Sequence, residues 1–213
     1  MAELDEQRNR LTVKLVYYGP ALSGKTTNLT RLHDLLAPGL KGEMMTLETE
    51  GDRTLFFDLL PLGFTAPSGL RVKFKLFTVP GQVIHDGTRK AVLSRADGVI
   101  FVADSQRNQV MNNGVSFDNL MRNTATVGLD STLPLVVQFN KRDLSDILSE
   151  AEIMERWAGA AWPLTFACAL EGSGVIETFA AALRGVYDCL DDKFSLQERH
   201  GLSRESFAAG AGA

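Results

Sequence analysis

Several features that would place a protein in a special class are scarce in this 213-residue sequence. It has only two cysteines, Cys168 and Cys189, which leaves no disulfide framework and favours a reducing cytosol. No apolar run approaches the roughly 20 residues that a membrane-spanning helix needs, and the N-terminus lacks the apolar core of a signal peptide. The net charge is −4 without a visible basic cluster, so we expect no nucleic-acid partner.

The chain ends also lack lipidation signals. Ala2 does not fit a myristoylation motif, and Gly212-Ala213 carry no terminal cysteine motif, so we expect no lipid anchor. A hydrophobic content of 45% fits one globular domain. We predict an N-terminal tail over residues 1–10, the domain over 11–190 and a flexible, small-residue C-terminal tail over 191–213. The expected location is the cytoplasm.

A phosphate-loop motif is present at residues 19–26, GPALSGKT, which match GxxxxGK[ST] between an apolar run and a helical pattern. Its two glycines let the backbone wrap around an anion, with N–H groups turned inward as the helix begins. Lys25 would reach the β- and γ-phosphates, and the Thr26 hydroxyl would coordinate Mg²⁺. The alternative, a Gly-rich turn with a surface lysine, is disfavoured by the order of strand, loop and helix. The predicted contacts are Gly19, Ser23, Gly24, Lys25, Thr26 and Thr27.

A guanine-reading motif follows the apolar run at 133–139, where residues 140–143 read NKRD. The Asp143 carboxylate can accept hydrogen bonds from the ring N–H and the exocyclic amine of guanine, a donor pair that adenine lacks. The stem of Lys141 can lie over the purine, and Asn140 can tie this loop to the phosphate loop. Alone, such a loop is more often a solvated turn. Because this motif follows a phosphate loop in the same chain, we interpret it as the segment that binds the guanine base of GTP and GDP.

Residues 78–82, TVPGQ, resemble the DxxGQ segment of Ras-like GTPases. The Gly81 N–H can approach the γ-phosphate, and Gln82 can orient the attacking water. Thr78 stands where an aspartate usually holds a Mg²⁺-bound water, so we expect modest Mg²⁺ affinity in the GDP state. Asp58 is either a substitute carboxylate or a solvent-facing strand residue, and we favour the strand interpretation.

The first switch loop is expected between residues 46 and 58. Thr54 would reach Mg²⁺ with its hydroxyl and the γ-phosphate with its N–H, so the group that hydrolysis removes would order this loop. Ordering Thr54 brings Arg53 near the phosphoryl group, and an arginine supplied in cis is worth on the order of 10³ to 10⁵ in rate. Alternatively, Arg53 pairs with Glu50 or Asp52 on an exposed loop. The two interpretations stay open.

Strand-like and helical segments alternate along the chain, which builds a mostly parallel sheet with helices on both faces. We therefore predict an α/β, three-layer P-loop fold of the small GTPase type with a six-stranded sheet. The predicted strands are 11–18, 44–49, 71–79, 98–104, 133–140 and 163–169, and the predicted helices are 26–36, 88–94, 110–127, 148–158 and 175–190.

These segments together resemble the bacterial MglA-type small GTPases of cell polarity and gliding or twitching motility. The similarity runs from about residue 11 to 190. The matching segments include 16–20 VYYGP, 23–29 SGKTTNL, 41–43 KGE, 53–58 RTLFFD, 78–82 TVPGQ, 102–105 VADS and 140–144 NKRDL. The resemblance implies that Thr78 is the normal residue, that Arg53 acts in cis and that a Roadblock-fold, MglB-like dimer activates hydrolysis. It also implies downstream polarity or motility effectors and recruitment to a cell pole through partners.

Two positions match less well. Residues 168–170, CAL, stand where small GTPases carry a Ser-Ala-Lys-type loop whose backbone N–H reads the guanine carbonyl, but only Ala169 fits and Cys168 could simply end a buried strand. Residues 83–87, VIHDG, replace the two aromatics that the family usually places after PGQ, which leaves partner identity open.

Two functions stay open at this stage. The first is an enzyme and switch in which Gln82, Arg53, Lys25 and Thr54 act in GTP hydrolysis. The second is a guanine-nucleotide-dependent binding module with weak catalysis, because the aspartate at position 78 is missing. Gln82 favours the first. A kinase that uses ATP is disfavoured by Asp143.

Overall fold

The structure is a computed structural model that describes residues 2–48, 56–82, 85–129 and 132–212. The strands are β1 Glu3–Asp5, β2 Arg10–Tyr18, β3 Met45–Glu48, β4 Phe56–Thr65, β5 Arg71–Thr78, β6 Gly98–Asp104, β7 Leu135–Asn140 and β8 Leu164–Phe166. The helices are α1 Lys25–Leu35, α2 Asp86–Leu93, α3 Val110–Thr126, α4 Glu150–Arg156, α5 Val175–Phe194, α6 Leu196–His200 and α7 Arg204–Gly210. Short 3₁₀ turns cover Pro38–Leu40 and Arg107–Gln109.

Within these ranges, eight strands form one sheet in the order β3-β4-β5-β2-β6-β7-β8, and β1 pairs with β2 outside this path. The five neighbouring strands β5, β2, β6, β7 and β8 run parallel to one another. The strand β4 is antiparallel to both of its neighbours, β3 and β5. Parallel neighbours need crossover connections, and here these place helices on both faces. The predicted mostly parallel α/β sheet is confirmed, and the predicted six strands become eight.

The strand β4 was missed because its sequence contains two residues that usually argue against a strand. Pro61 cannot donate to a ladder, and Gly63 has no side chain to pack. In the structure the Pro61 carbonyl accepts a hydrogen bond from the Gly42 N–H at 2.9 Å. A Cβ at Gly63 would lie 2.8 Å from the Val72 carbonyl oxygen, so glycine permits close pairing with β5. The local sequence signals are therefore overridden by tertiary pairing.

Two apolar clusters fill the space between the sheet and its helices. One lies on the face covered by α1 and α5, where Leu15, Phe74 and Phe179 are fully buried. The other lies towards α2, α3 and α4 and includes Phe101 and Ile153. All residues of β6 are buried, as expected for a parallel strand covered on both faces.

The strand β5 instead alternates between exposed and buried residues. Its inward residues join the core under α1 and α5, whereas Arg71, Lys73 and Lys75 are exposed. Side chains two residues apart on a strand lie on the same face. The structure thus forms a basic row that the linear sequence hides, because apolar residues separate its members.

The predicted flexible C-terminal tail over 191–213 is wrong for the described part of that segment, which forms the end of α5, α6 and α7. Phe207 is fully buried, with its ring centroid 5.3 Å from that of Phe74 and 6.4 Å from that of Phe64. The Tyr187 hydroxyl donates to the Leu202 carbonyl at 2.7 Å, and Ser203 caps α7. Composition suggested disorder, but these few apolar residues find a place on the core.

The predicted N-terminal tail over residues 1–10 is likewise partly ordered. The strand β1 pairs antiparallel with the start of β2, with Leu4 opposite Leu11. Both ends of the described chain therefore add to the domain. None of the described helices is long and apolar enough to cross a membrane.

Candidate functional site: a nucleotide cleft at the ends of the parallel strands

The phosphate loop connects β2 to α1, and both of its motif glycines are structurally required. Gly19 has a φ of 141° and Gly24 a φ of 98°. A Cβ at Gly19 would lie 2.2 Å from the Val102 carbonyl oxygen, and one at Gly24 would lie 2.2 Å from Asn140 Nδ2. Because only glycine tolerates both the backbone angle and the close approach, these positions shape the loop. The loop leads directly into the N-terminus of α1, whose first N–H groups lack helical acceptors.

Lys25 is the first residue of α1 and is 7% exposed. Its Nζ donates to the carbonyl oxygens of Gly19 at 3.1 Å and Pro20 at 2.6 Å. Burial, followed by the nearby Arg89 charge, lowers the pKa of Lys25 to about 7, and Asp58 opposes this shift. Lys25 is therefore a buried amine whose hydrogen-bond acceptors, within the described residues, are uncharged carbonyls.

A cleft of about 400 Å³ opens beside this loop. It is lined by Ala21, Leu22, Gly24, Lys25, Thr26, Thr27, Asp58, Thr78, Val79, Pro80 and Gly81. Thr26 and Thr27 are exposed at the start of α1. Within the described residues the buried Ser23 hydroxyl has no hydrogen-bond partner. Unsatisfied buried polar groups are costly, so this hydroxyl is a second group beside Lys25 that a ligand could satisfy.

The loop of the NKRD motif is joined to the phosphate loop by Asn140, as predicted. Asn140 Nδ2 donates to the Ser23 carbonyl at 2.8 Å. Its Oδ1 accepts from the Ala169 N–H at 2.9 Å. One buried amide at the end of β7 therefore ties together three loops at the same edge of the sheet. The Ala169 N–H belongs to the loop that stands where small GTPases read the guanine carbonyl; here it donates to Asn140, and its contact with guanine stays a prediction.

Asp143 is exposed beside the end of β8. The Cys168 thiol donates to Asp143 Oδ1 at 3.1 Å. Burial and this hydrogen bond raise the pKa of Cys168, so the thiol keeps its proton and remains a donor. Cys168 matched the family pattern poorly, yet its side chain contacts the carboxylate of the NKRD motif.

Lys141 follows β7 with a φ of 67°. Its Nζ lies 2.7 Å from Asp104 Oδ2 at the end of β6. Left-handed backbone is unusual for a lysine, and the ion pair directs the side chain across the strand ends. Sequence reasoning assigned no role to Asp104, although a carboxylate that ends an apolar strand was the available signal.

A second polar cluster lies where β4 begins and β5 ends. Its carboxylate is that of Asp58, which is 7% exposed. Its Oδ2 accepts from the hydroxyls of Thr26 at 2.6 Å and Thr78 at 3.0 Å, and its Oδ1 accepts from Thr46 at 3.0 Å. The Asp58 N–H donates to the Thr78 hydroxyl at 2.9 Å. The favoured interpretation of Asp58 as a solvent-facing strand residue is therefore wrong. Antiparallel pairing of β4 with β5 places its carboxylate beside Thr78.

The segment after β5 brings Gly81 against the phosphate loop. A Cβ at Gly81 would lie 2.3 Å from Ala21 Cα, so this approach is possible only for glycine. Gln82 is exposed, and its carbonyl accepts from the His85 N–H at 3.2 Å. The predicted switch residues Arg53 and Thr54 lie outside the described residues.

Comparison with known proteins agrees with this geometry. Residues 64–184 match the model of the ADP-ribosylation factor (Arf) family. The chain therefore belongs to the Arf family of small GTPases, and it is a GTP-binding enzyme that hydrolyses GTP. It is 42% identical over 185 residues to the Mutual gliding-motility protein MglA of Myxococcus xanthus (strain DK1622), with 86% of this chain and 95% of that protein covered. This similarity identifies it as an MglA-type member.

Proposed function

We propose that this protein is a Mg²⁺-dependent switch that hydrolyses GTP to GDP and controls bacterial polarity or motility through GTP-dependent partners. The observation that most supports this proposal is the hydrogen bond from Asn140 to the Ser23 carbonyl. It joins the loop with the guanine-reading carboxylate to the loop with Lys25, so that one guanine nucleotide can span both.

The donor set beside Lys25 suits Mg²⁺. Hard divalent cations prefer oxygen ligands, and Mg²⁺ in nucleotide sites is commonly held by one or two carboxylates, hydroxyls and phosphates. Thr26, Thr78 and Asp58 place three such oxygens together. We propose that Thr26 and Asp58 hold the metal or its water, with Thr54 joining them in the GTP state. Bound Mg²⁺ would neutralise charge on the phosphates.

The proposed hydrolytic roles follow from position. Lys25 would exchange its two carbonyl acceptors for phosphate oxygens, which satisfy the buried charge better. The Gly81 N–H would contact the γ-phosphate, and Gln82, two residues beyond Pro80 at the cleft, would orient the attacking water. Arg53 would meet charge that develops on the transferred phosphoryl group.

The cellular role and partners are proposed from the relative and the sequence resemblance. The similar Myxococcus protein is named for mutual gliding motility. We propose a related role in motility or polarity for this chain, in the cytoplasm and at a cell pole through partners. We also propose activation by a Roadblock-fold, MglB-like dimer and recognition of the GTP state by effectors. The alternative, a weakly catalytic nucleotide-dependent binding module, is favoured by Thr78 in place of the usual aspartate.

Single-turnover GTP hydrolysis tests the proposal. Wild type, Gln82→Ala and Arg53→Ala would be compared alone and with the Roadblock candidate, while nucleotide affinity and complex formation are measured in parallel. Both variants should bind nucleotide nearly as wild type and lose turnover, with Arg53→Ala losing on the order of 10³-fold in stimulated rate. Full stimulation of Arg53→Ala would exclude the cis-arginine role. Negligible wild-type turnover with and without the partner would favour the binding module.

A further inference from the structure

Arg89 is an arginine of α2 that is fully buried beneath the nucleotide cleft. Its Nη1 donates to Asn119 Oδ1 at 2.6 Å and approaches the Tyr18 hydroxyl at 3.4 Å. The guanidinium carbon lies 4.9 Å from the centroid of the Tyr18 ring. A buried cation is costly unless its donors are satisfied. Within the described part of the chain, however, no carboxylate bonds directly to this guanidinium.

The other edge of the guanidinium holds the backbone of the nucleotide cleft. Nε donates to the Pro80 carbonyl at 2.8 Å, and Nη2 donates to the Gly81 carbonyl. Nη2 also lies 3.5 Å from the Gly19 carbonyl oxygen in the phosphate loop. One rigid group therefore contacts the segment after β5 and the first glycine of the phosphate loop. Lysine could not reproduce this contact, because it lacks the planar fork.

These hydrogen bonds fix the direction of two N–H groups. In a planar trans peptide the C=O of one residue points opposite to the N–H of the next. The Pro80 carbonyl faces Arg89, so the Gly81 N–H faces away from it. The same relation turns the Gln82 N–H away from Arg89, because the Gly81 carbonyl is also held. Pro80 and Gly81 line the cleft, which Arg89 does not enter.

A relay on α3 keeps the guanidinium in place. Asn119 accepts from Arg89 with its oxygen and donates from Nδ2 to Asp86 Oδ1 at 2.8 Å. Asn123 donates to the same Asp86 oxygen at 2.8 Å. Hydrogen bonds from Lys90 and then Asn119 lower the pKa of Asp86, so this carboxylate stays ionised. The countercharge of Arg89 is therefore one amide away.

We propose that Arg89 is a positioning residue that aims the N–H groups of Gly81 and Gln82 at the γ-phosphate and thereby raises the affinity for GTP relative to that for GDP. This inference rests on the proposed switch function. GDP lacks the γ-phosphate and does not need these N–H groups. If the guanidinium is lost, the two peptides can rotate, and a carbonyl that faces the γ-phosphate repels it. Arg89 thus acts through the backbone and does not touch the nucleotide.

The test compares two affinities in each of four full-length proteins. GDP and the non-hydrolysable analogue guanylyl imidodiphosphate would be bound to wild type, Arg89→Met, Arg89→Lys and Arg71→Met in the presence of Mg²⁺. Arg71 is a matched control, since it also donates to a backbone carbonyl, that of Arg8, but lies at the start of β5. Single-turnover GTP hydrolysis and thermal unfolding would be measured on the same samples.

In Arg89→Met we expect the ratio of analogue to GDP affinity to fall at least about tenfold, since hydrogen bonds that position charge-binding groups are lost. The hydrolysis rate at saturating GTP should fall by a similar factor. Arg89→Lys keeps the charge but not the fork and should lose at least about fivefold in the same ratio. Arg71→Met should keep the wild-type ratio. A general loss of stability lowers both affinities together and would leave the ratio unchanged.

A wild-type ratio and hydrolysis rate in either Arg89 variant would overturn the positioning role. If Arg89→Met does not fold, Arg89→Lys alone decides by the same ratio. Failure of the underlying switch proposal would be recognised in wild type, which would then hydrolyse no GTP in the single-turnover assay, whereas the ratio of analogue to GDP affinity would still be measurable. If wild type hydrolyses GTP and Arg89→Lys keeps the wild-type ratio of the two affinities, only the inference about Arg89 is defeated.

Discussion

The proposed base half of the nucleotide site, around Asn140, and the proposed phosphate half, around Lys25 and Asp58, are held together in different ways. In the base half, Asn140 bonds backbone groups of Ser23 and Ala169, and these bonds need no nucleotide to form. In the phosphate half, Lys25 bonds loop carbonyls and Asp58 bonds threonine hydroxyls. The base half is thus a preformed frame, meaning a set of hydrogen bonds between loops that exists without nucleotide. In the phosphate half, the charged side chains are hydrogen-bonded to protein groups that a nucleotide or metal would have to replace.

This difference predicts which property each half controls. The hydrogen bonds of the base half are already formed without nucleotide, so ordering this half on binding costs little free energy. Changes there should therefore alter which base is bound and how tightly. Internal partners must be exchanged for phosphate and metal, so changes in the phosphate half should alter the dependence on pH, metal and the γ-phosphate. Substitutions that mixed these effects would show that the two halves are not separable.

The largest expected effect is the pH dependence contributed by Lys25. Its pKa in the nucleotide-free protein is lowered to about 7 by burial, and phosphate oxygens favour its charged form, so binding takes up a proton above that pH. Nucleotide affinity should therefore fall by up to about tenfold per unit as pH rises above about 7. Calorimetric titrations with GDP at several pH values would measure this dependence.

Lys25→Arg is the control for this effect, because arginine stays charged and leaves only the titration of the nucleotide itself. The stability of the nucleotide-free protein should show the opposite sign. Between pH 7 and the usual lysine range, the unfolded chain binds the Lys25 proton more tightly, so unfolding free energy should rise with pH. If nucleotide affinity changes with pH by the same factor in wild type and in Lys25→Arg, the titration of Lys25 does not control binding.

Asp143→Asn should have the next largest effect and should test the base half alone. The substitution replaces a double acceptor with one acceptor and one donor, at a cost of about 1 to 3 kcal/mol or more. GTP affinity should fall at least about tenfold, xanthine nucleotide should gain, and the Mg²⁺ dependence should stay as in wild type. Competition binding with GTP, XTP and ATP measures these changes. Unchanged GTP affinity with equal competition by ATP would contradict the guanine assignment.

Asp58→Asn tests the phosphate half. Because Asp58 bonds Thr26 and Thr78, we now expect a metal held more firmly than Thr78 alone predicted. Chelation should accelerate GDP release in wild type by about tenfold and in Asp58→Asn much less, since the carboxylate is the harder ligand. Stopped-flow release of a fluorescent GDP measures both rates. If the chelator does not change the rate of GDP release from wild type, the expectation from the sequence, modest metal affinity in the GDP state, would hold instead.

The smallest effect is expected from Cys168, which donates to the base-reading carboxylate. Cys168→Ala removes one weak donor and should lower GDP affinity by about two- to fivefold, close to the value of one net hydrogen bond. Cys168→Ser keeps a donor and should match or exceed wild type. If the alanine variant binds guanine nucleotide as wild type does and the serine variant binds worse, this contact does not position Asp143.

Sequence reasoning reached the frame of the site more easily than its electrostatic partners. The Gly19 and Gly24 spacing and the Asn140 link come from motifs in which residue type and local order carry the geometry. Asp58 was misjudged because its partner Thr78 is distant in sequence, and only strand pairing brings them together. Arg89 carried no signal, since an arginine in a helical pattern normally faces solvent.

By itself, the sequence determined the alternation of strands and helices, the phosphate loop and the guanine motif, because each depends on short-range spacing. Tertiary structure alone decided that β4 forms despite Pro61 and Gly63, and that Phe207 orders the C-terminal segment against the core. It also decided that Arg89 is buried. Such outcomes depend on long-range burial and hydrogen bonding, whose free energies outweigh the weaker local preferences that a sequence pattern records.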